Sequence, residues 1–190
     1  RSTCLKAGLG GYDGRALRSG DVLKTSGAAK CIVLTAPVPR FASPSLERDT
    51  DGTCLLRVVR GTMDEECEGG AIDKMTSTIY QVSSSCDRMG IRLTGPKVAH
   101  KDRADIISGG IEPGAVQVPG SGEPIILMAD RQTTGGYTKA FSVITADRPK
   151  LGQLRPGGEV AFSIVSLEEA VEALRRLDSA IYESASNLVD

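Results

Sequence analysis

Short apolar runs, set between glycine, proline and polar clusters, dominate the pattern of this 190-residue chain. Cys31–Ala36, Cys54–Val59, Ile91–Thr94, Gly114–Val118, Pro124–Met128, Lys139–Thr145 and Val160–Val165 read as β-strands. Most gaps between them are too short for the helical crossovers of a parallel sheet, so the pattern predicts a mainly β barrel or sandwich. VPGSGEPII (118–126) predicts a hairpin, with Gly120 and Gly122 able to take positive φ. LRSGDVL (17–23) and LRPGGEV (154–160) share a Leu-Arg-x-Gly opening and predict tight turns that lead into strands.

From Ser166 onward the period becomes helical. Leu167, Ala170, Val171, Leu174, Leu177 and Ile181 form one apolar stripe, and Ser166 with Glu169 fits a capping box, which predicts a helix over 166–186. Its stripe is expected to lie against the barrel or a partner. A weaker helix is predicted within 62–78, around Ala71, Ile72 and Met75, its start broken or delayed by Gly69-Gly70. The closing ESASNLVD carries little apolar content and is expected to fray.

Net charge is −1 with both signs interspersed, which leaves no electrostatic footprint for nucleic acid or an anionic membrane. No apolar run approaches the roughly 20 residues of a membrane span, and no signal-peptide pattern appears, so a cytoplasmic location is expected. Cys4, Cys31, Cys54, Cys67 and Cys86 include no Cys-x-x-Cys pair, and their odd number fits free thiols in a reducing compartment. With His100 the single histidine, no zinc site or Cys/His nucleophilic pair has support, and no metal ligands are assigned. His100 lies in the polar KVAHKDRAD and reads as solvated or structural.

Chemistry concentrates in ADRQTTGGY (129–137), which bridges two of the predicted strands. Asp130 can orient a substrate N–H or act as a base, Arg131 can pair with a carboxylate or phosphate, and Tyr137 can stack or donate. Gln132, Thr133 and Thr134 add amide and hydroxyl groups, and the backbone N–H groups of Gly135 and Gly136 are unshielded enough to cradle an anion. An ordinary hairpin turn explains the same glycines and threonines. In SCDRMGIRLTGP (85–96), Asp87-Arg88 at a strand entrance suits either a ligand carboxylate or a rim salt bridge. In DIISGGIEPGAVQVPG (105–120), Ser108-Gly109-Gly110 and Pro113-Gly114 predict tight turns, and Gln117 within a strand is a core network member or a ligand reader. Gly120-Ser121-Gly122 precedes no helix and no Walker lysine pattern occurs.

Taken in order, SCDRMGIRLTGP, DIISGGIEPGAVQVPGSGEPIILMADRQTTGGY and RPKLGQLRPGGEVAFSIVSLEEA resemble the carboxyltransferase subdomain A/B family, and RSTCLKAGLGGYDGRALRSGDVL resembles the segment upstream of them. That family includes second-subunit-type allophanate hydrolase proteins, the C subunit of bacterial 5-oxoprolinase and part of urea carboxylase. The resemblance implies a cyclophilin-like β-barrel with one or two peripheral helices, including a C-terminal one. It implies residues 1–50 as the end of subdomain A with its connection, and 51–190 as subdomain B. Family members continue upstream of Arg1, so the start of subdomain A is expected to be missing from this stretch.

The implied partners are a first-subunit-type protein of carboxyltransferase subdomains C/D and a lactam-utilisation-type subunit. The implied activity is ATP-dependent opening of 5-oxo-L-proline to L-glutamate, with ATP and Mg at the level of the complex. Two alternatives stand beside it: a biotin-dependent carboxyltransferase component acting on urea or a related amide, and a regulatory protein that binds the first-subunit-type kinase inhibitor. No Met-Lys-Met attachment site occurs, so biotin would arrive on another chain or domain. Both chemistries activate an amide, which assigns Asp130, Arg131 and Tyr137 as catalytic candidates. Gln132, Thr133, Thr134, Gly135, Gly136, Asp87, Arg88 and Gln117 are the candidates for substrate binding.

Overall fold

The computed structural model describes residues 3–24, 52–62, 65, 67–102 and 105–186; the strand predicted over Cys31–Ala36 lies outside them. The chain divides into two compact units, Arg1–Val38 and Pro39–Asp190. In the first, Arg15 forms a two-pronged ion pair with Asp21, 2.8 Å on each prong, and its guanidinium lies 4.8 Å from the centre of the Tyr12 ring. That pair and the Arg18 N–H hold the Asp21 carboxyl below its ordinary pKa. Thr3, Gly11, Tyr12, Arg15, Leu17 and Leu23 line a hollow of about 300 Å³.

The second unit is a closed β-barrel. Its strands are β1 (Cys54–Arg60), β2 (Tyr80–Val82), β3 (Gly90–Thr94), β4 (Asp105–Gly110), β5 (Ala115–Val118), β6 (Ile125–Leu127), β7 (Thr134–Val143) and β8 (Glu159–Ile164). Pairing runs β1-β8-β2-β3-β6-β5-β7, and β7 pairs back onto β1, so seven strands form a ring and β4 hangs from β7. Only β1 and β8 run parallel among these pairs. Alternate residues point inward: in β1, Cys54, Leu56 and Val58 are buried while their neighbours are less so. Phe162 sits at the centre of the core, with its ring 6.0 Å from Tyr80 and 5.6 Å from Phe141. The mainly β barrel expected from the sequence is therefore present.

Three expectations need correction. Ser108-Gly109-Gly110 is not a turn but the end of β4, and β7 begins at Thr134 rather than at Lys139. Both segments are largely exposed, so they lack the apolar alternation that marks a strand, and β2 is only three residues long. The turn at Leu17–Leu23 forms, with the Asp21 N–H donating to Arg18 O at 3.1 Å, and the strand it is expected to lead into lies beyond Lys24, outside the described residues. Its counterpart at Leu154–Val160 does lead into β8, because β2 is there to pair with it. In the β5–β6 hairpin the positive φ falls on Gly122 (77°), not on Gly120.

Helix α1 (Ala71–Thr76) starts directly after Gly70 and buries Ala71, Ile72 and Met75; α2 (Arg148–Leu151) is a single turn that follows the 3-10 turn Thr145–Asp147. Helix α3 (Leu167–Ser186) opens on the predicted capping box: the Ser166 N–H donates to Glu169 Oε2 at 2.7 Å and the Glu169 N–H to Ser166 Oγ at 3.1 Å. It runs through Ser186, so Glu183 to Ser186 are helical rather than frayed. It touches β1 and the Thr145–Asp147 turn, yet Leu167, Val171 and Ile181 stay exposed. Among the described residues no helix is long and apolar enough to cross a membrane. His100 has a structural place, with Nε2 3.2 Å from Pro119 O and Nδ1 3.5 Å from Thr138 Oγ1.

Candidate functional site

Two motifs that lie 42 residues apart in sequence meet where β3 begins and β6 ends. Gly90 pairs with Leu127, and the pairing continues past both strand ends: the Met128 N–H donates to Met89 O and the Asp130 N–H to Arg88 O, each at 2.9 Å. Asp87 shapes the entrance, its Oδ1 accepting the N–H groups of Met89 (2.8 Å) and Gly90 (3.2 Å). With the backbone so fixed, Arg88 clasps Asp130 on both oxygens, Nε to Oδ2 at 3.0 Å and Nη2 to Oδ1 at 3.2 Å. The two side chains are 66% and 49% exposed, so water and ligands reach the pair.

The rest of the stretch divides by structure. Arg131 is half-buried, its Nε donating to Ile111 O at 3.2 Å, and the Ile111 N–H donates to Thr133 O at 2.9 Å. Gln132, Thr133 and Thr134 are exposed. From Thr134 the backbone is strand, with Thr134 opposite Gly110, Gly135 opposite Gly109 and Tyr137 opposite Asp105. The open glycine loop expected from the sequence is thus replaced by a paired ribbon. Close approach explains both glycines: a Cβ at Gly135 would lie 2.6 Å from Ile111 Cδ1, and one at Gly136 2.8 Å from Ile106 O. Gln117, 2% exposed, sits beneath this ribbon, its amide 3.5 Å from Tyr137 O and 3.3 Å from the position of a Gly135 Cβ. Tyr137 is 39% exposed.

A fourth Asp-Arg dipeptide, Asp147-Arg148, carries charges that the motif pattern alone does not single out. Asp147 is fully buried and accepts from the Arg57 N–H (2.9 Å), Arg57 Nε (3.0 Å) and Arg57 Nη2 (2.6 Å), with Lys150 Nζ 3.5 Å away. Burial works to raise its pKa, but the Arg57 bonds and the Lys150 charge outweigh that, so the carboxyl lies below its ordinary value. Lys150 Nζ also donates to Leu55 O at 2.9 Å. Asp-Arg recurs at 87–88, 102–103, 130–131 and 147–148, so the dipeptide does not by itself mark this cluster, which no local sequence signal discloses.

Residues 1–164 match the family model for the carboxyltransferase domain, subdomain A and B. The chain belongs to that family. This carboxyltransferase-domain chain is 37% identical, over all of its length, to the 5-oxoprolinase C subunit of Haemophilus influenzae, and 36% identical over 90% of its length to the protein of that name from Escherichia coli. It spans 58% and 53% of the length of those two relatives. The urea amidolyase of Lachancea kluyveri is 28% identical over 95% of this chain, which covers 11% of that protein. Among solved structures, TTHA0988 matches at 35% identity with a TM-score of 0.52, covering 62% of this chain and 22% of that one. The urea carboxylase of Kluyveromyces lactis has the same fold, with a TM-score of 0.65 at 23% identity over 68% of this chain and 12% of that one. The family match stops at Ile164, so α3 lies beyond it.

Proposed function

We propose that this chain is the C-subunit-like component of an ATP-dependent 5-oxoprolinase, which opens 5-oxo-L-proline to L-glutamate together with partner subunits. The observation that carries this reading is the exposed Asp130 carboxylate, held two-pronged by Arg88 in a chain 37% identical to a 5-oxoprolinase C subunit. Opening a lactam builds negative charge on the carbonyl oxygen and requires a proton for the departing nitrogen. Asp130, oriented by Arg88 and the Asp87 turn, accepts the lactam N–H, takes the proton that the attacking water gives up, and returns it to the nitrogen as the C–N bond breaks. Arg131 and Tyr137 face the oxygen on which charge develops, and Gln132, Thr133 and Thr134 line the approach. Gln117, Gly135 and Gly136 set the height of the ribbon that carries Tyr137.

ATP supplies the driving force for ring opening in such a complex. Among the described residues no three His, Cys, Asp or Glu side chains form a metal-binding group, and no step is routed through the Mg-nucleotide, which is assigned to the complex as a whole. The partners in this reading are a first-subunit-type protein of subdomains C/D and a lactam-utilisation-type subunit. Activity is therefore a property of the complex, and its place is the cytoplasm.

The test is to co-express these partners with the chain in its full-length context and measure ATP-dependent glutamate release from 5-oxoproline. No release from a soluble, assembled complex sinks the reading. The urea amidolyase relative supports a second reading, carboxyl transfer from biotin carried on another chain to urea or a related amide. Urea-dependent consumption of carboxybiotin by the complex, with no glutamate release, would decide for it.

A further inference from the structure

Helix α3 is long and poorly covered: from Leu167 to Glu183 none of its side chains is buried. Ala170, Ala173, Leu177 and Ala180 are partly shielded and mark the side that packs on β1 and the Thr145–Asp147 turn. Val171, Arg175, Asp178 and Tyr182, spaced four, three and four residues apart, form a second stripe on the opposite side of the helix. All four are exposed, Val171 by 40% and Tyr182 by 74%. The two charges on this stripe are unspent. Arg176 pairs with Glu172 at 3.1 Å, but Arg175 and Asp178 make no ion pair or side-chain hydrogen bond among the described residues.

The order of these residues says what covers the stripe. Val171 and Tyr182 each stand four residues from an end of Leu167–Ser186, and Arg175 and Asp178 each stand eight residues from an end. A second copy of α3 laid antiparallel, with a two-fold axis at the helix midpoint, therefore sets Val171 against Tyr182 of the second copy and Arg175 against its Asp178, and the two-fold repeats both contacts. A parallel copy instead sets Arg175 on Arg175 and Asp178 on Asp178, like charge on like. Exposed ion pairs add little binding energy, so these fix direction and register. The drive comes from Val171 and Tyr182, flanked by the exposed Leu167 and Ile181, as their apolar surface leaves water.

We infer that α3 is a self-association surface, on which two copies of this chain pair antiparallel through Val171, Arg175, Asp178 and Tyr182. The overlap of 20 residues is about 30 Å long and one helix wide, smaller than a standard interface of about 1,600 Å², so the dimer forms reversibly. The family match stops at Ile164, which places the pairing element outside the carboxyltransferase domain. The stripe shares no residue with the candidate site, so the inference stands apart from the 5-oxoprolinase reading, and a complex assembled on the dimer carries two copies of the Asp130 site.

Sedimentation velocity of the full-length chain at rising concentration reads the association. The native chain is expected to pass from monomer to dimer, and Arg175→Asp or Asp178→Arg, each of which sets like charges face to face twice, to raise the dimer dissociation constant roughly tenfold or more. An equimolar mixture of the two variants regains both ion pairs and is expected to form a heterodimer within about threefold of the native affinity. Arg175→Gln and Asp178→Asn, with a smaller expected loss, cover the case in which a reversal fails to fold by circular dichroism. A native chain that stays monomeric up to about 0.1 mM, a reversal that leaves association unchanged, or a mixture that associates no better than either variant alone overturns the inference. So does a first-subunit-type partner that dissociates the dimer and protects the α3 amides from hydrogen exchange, because the stripe then has a different occupant.

Discussion

The barrel carries two Asp–Arg pairs of the same chemistry in opposite surroundings. Asp147 is fully buried and takes three bonds from Arg57 with Lys150 beside it, whereas Asp130 is half-open to water and takes two from Arg88. Removing one partner of a buried pair strands a charge without water, which costs far more than the pair itself contributes. An exposed pair is screened and its members are rehydrated when separated, so it contributes little to stability. The difference separates them: Asp147 holds β1 to the turn after β7, whereas Asp130 is open to water, as its proposed role of receiving a ligand requires.

The largest effect should therefore come from the less conspicuous residue. Asp147→Ala is expected to lower unfolding free energy by about 3–5 kcal/mol, read by urea denaturation. A loss below about 1 kcal/mol would erase the contrast with Asp130. Acid should expose the same asymmetry. The folded-state pKa of Asp147 is depressed, so its contribution is complete above the unfolded value near 3.9 and is lost as pH falls through the lower folded value. The stability gap between the native protein and Asp147→Asn is expected to be constant above about pH 5 and to narrow below about pH 4. A gap that widens on acidification would mean that the Arg57 and Lys150 charges do not hold the carboxylate.

How far these roles can be read from sequence depends on burial and pairing. Cys54–Val59 and Val160–Val165 declare themselves because their inward residues meet a core that any apolar side chain would seek. The capping box at Ser166 and Glu169 is legible for a different reason, since it is a purely local device. β4 stays hidden because its exposed face imposes no pattern, and its glycines mimic a turn while they pair with β7. At the site, the density of functional groups in ADRQTTGGY points to Asp130, but nothing local discloses that Arg88 is its partner, a contact made only when β3 pairs with β6. Asp147 is silent in the sequence because a buried carboxylate is recognised by the cations that the fold brings to it, and Arg57 is 90 residues away.

On the exposed side, stability and activity should part company. Asp130→Ala is expected to reduce glutamate release by the assembled complex at least tenfold, about 1.4 kcal/mol in the barrier, while unfolding free energy moves by less than about 1 kcal/mol. Arg131→Ala is expected to match it in turnover, with a further small loss of stability from its bond to Ile111 O. Unchanged turnover in both would return the stretch to a structural hairpin.

The smallest effect is the most discriminating, because it isolates the pair rather than its members. A double-mutant cycle of Arg88→Ala and Asp130→Ala on unfolding free energy is expected to give a coupling of about 0.2–1 kcal/mol that fades as salt is raised. A cycle of Arg57→Ala and Asp147→Ala should give a coupling several times larger, with little salt dependence. Repeated on turnover, the Arg88–Asp130 cycle should show that Arg88→Ala costs less than Asp130→Ala and adds almost nothing once Asp130 is gone, as befits a residue that acts through its partner. If instead the two losses were additive, Arg88 would have to touch substrate directly, and the exposed pair would be two independent ligands rather than one oriented carboxylate.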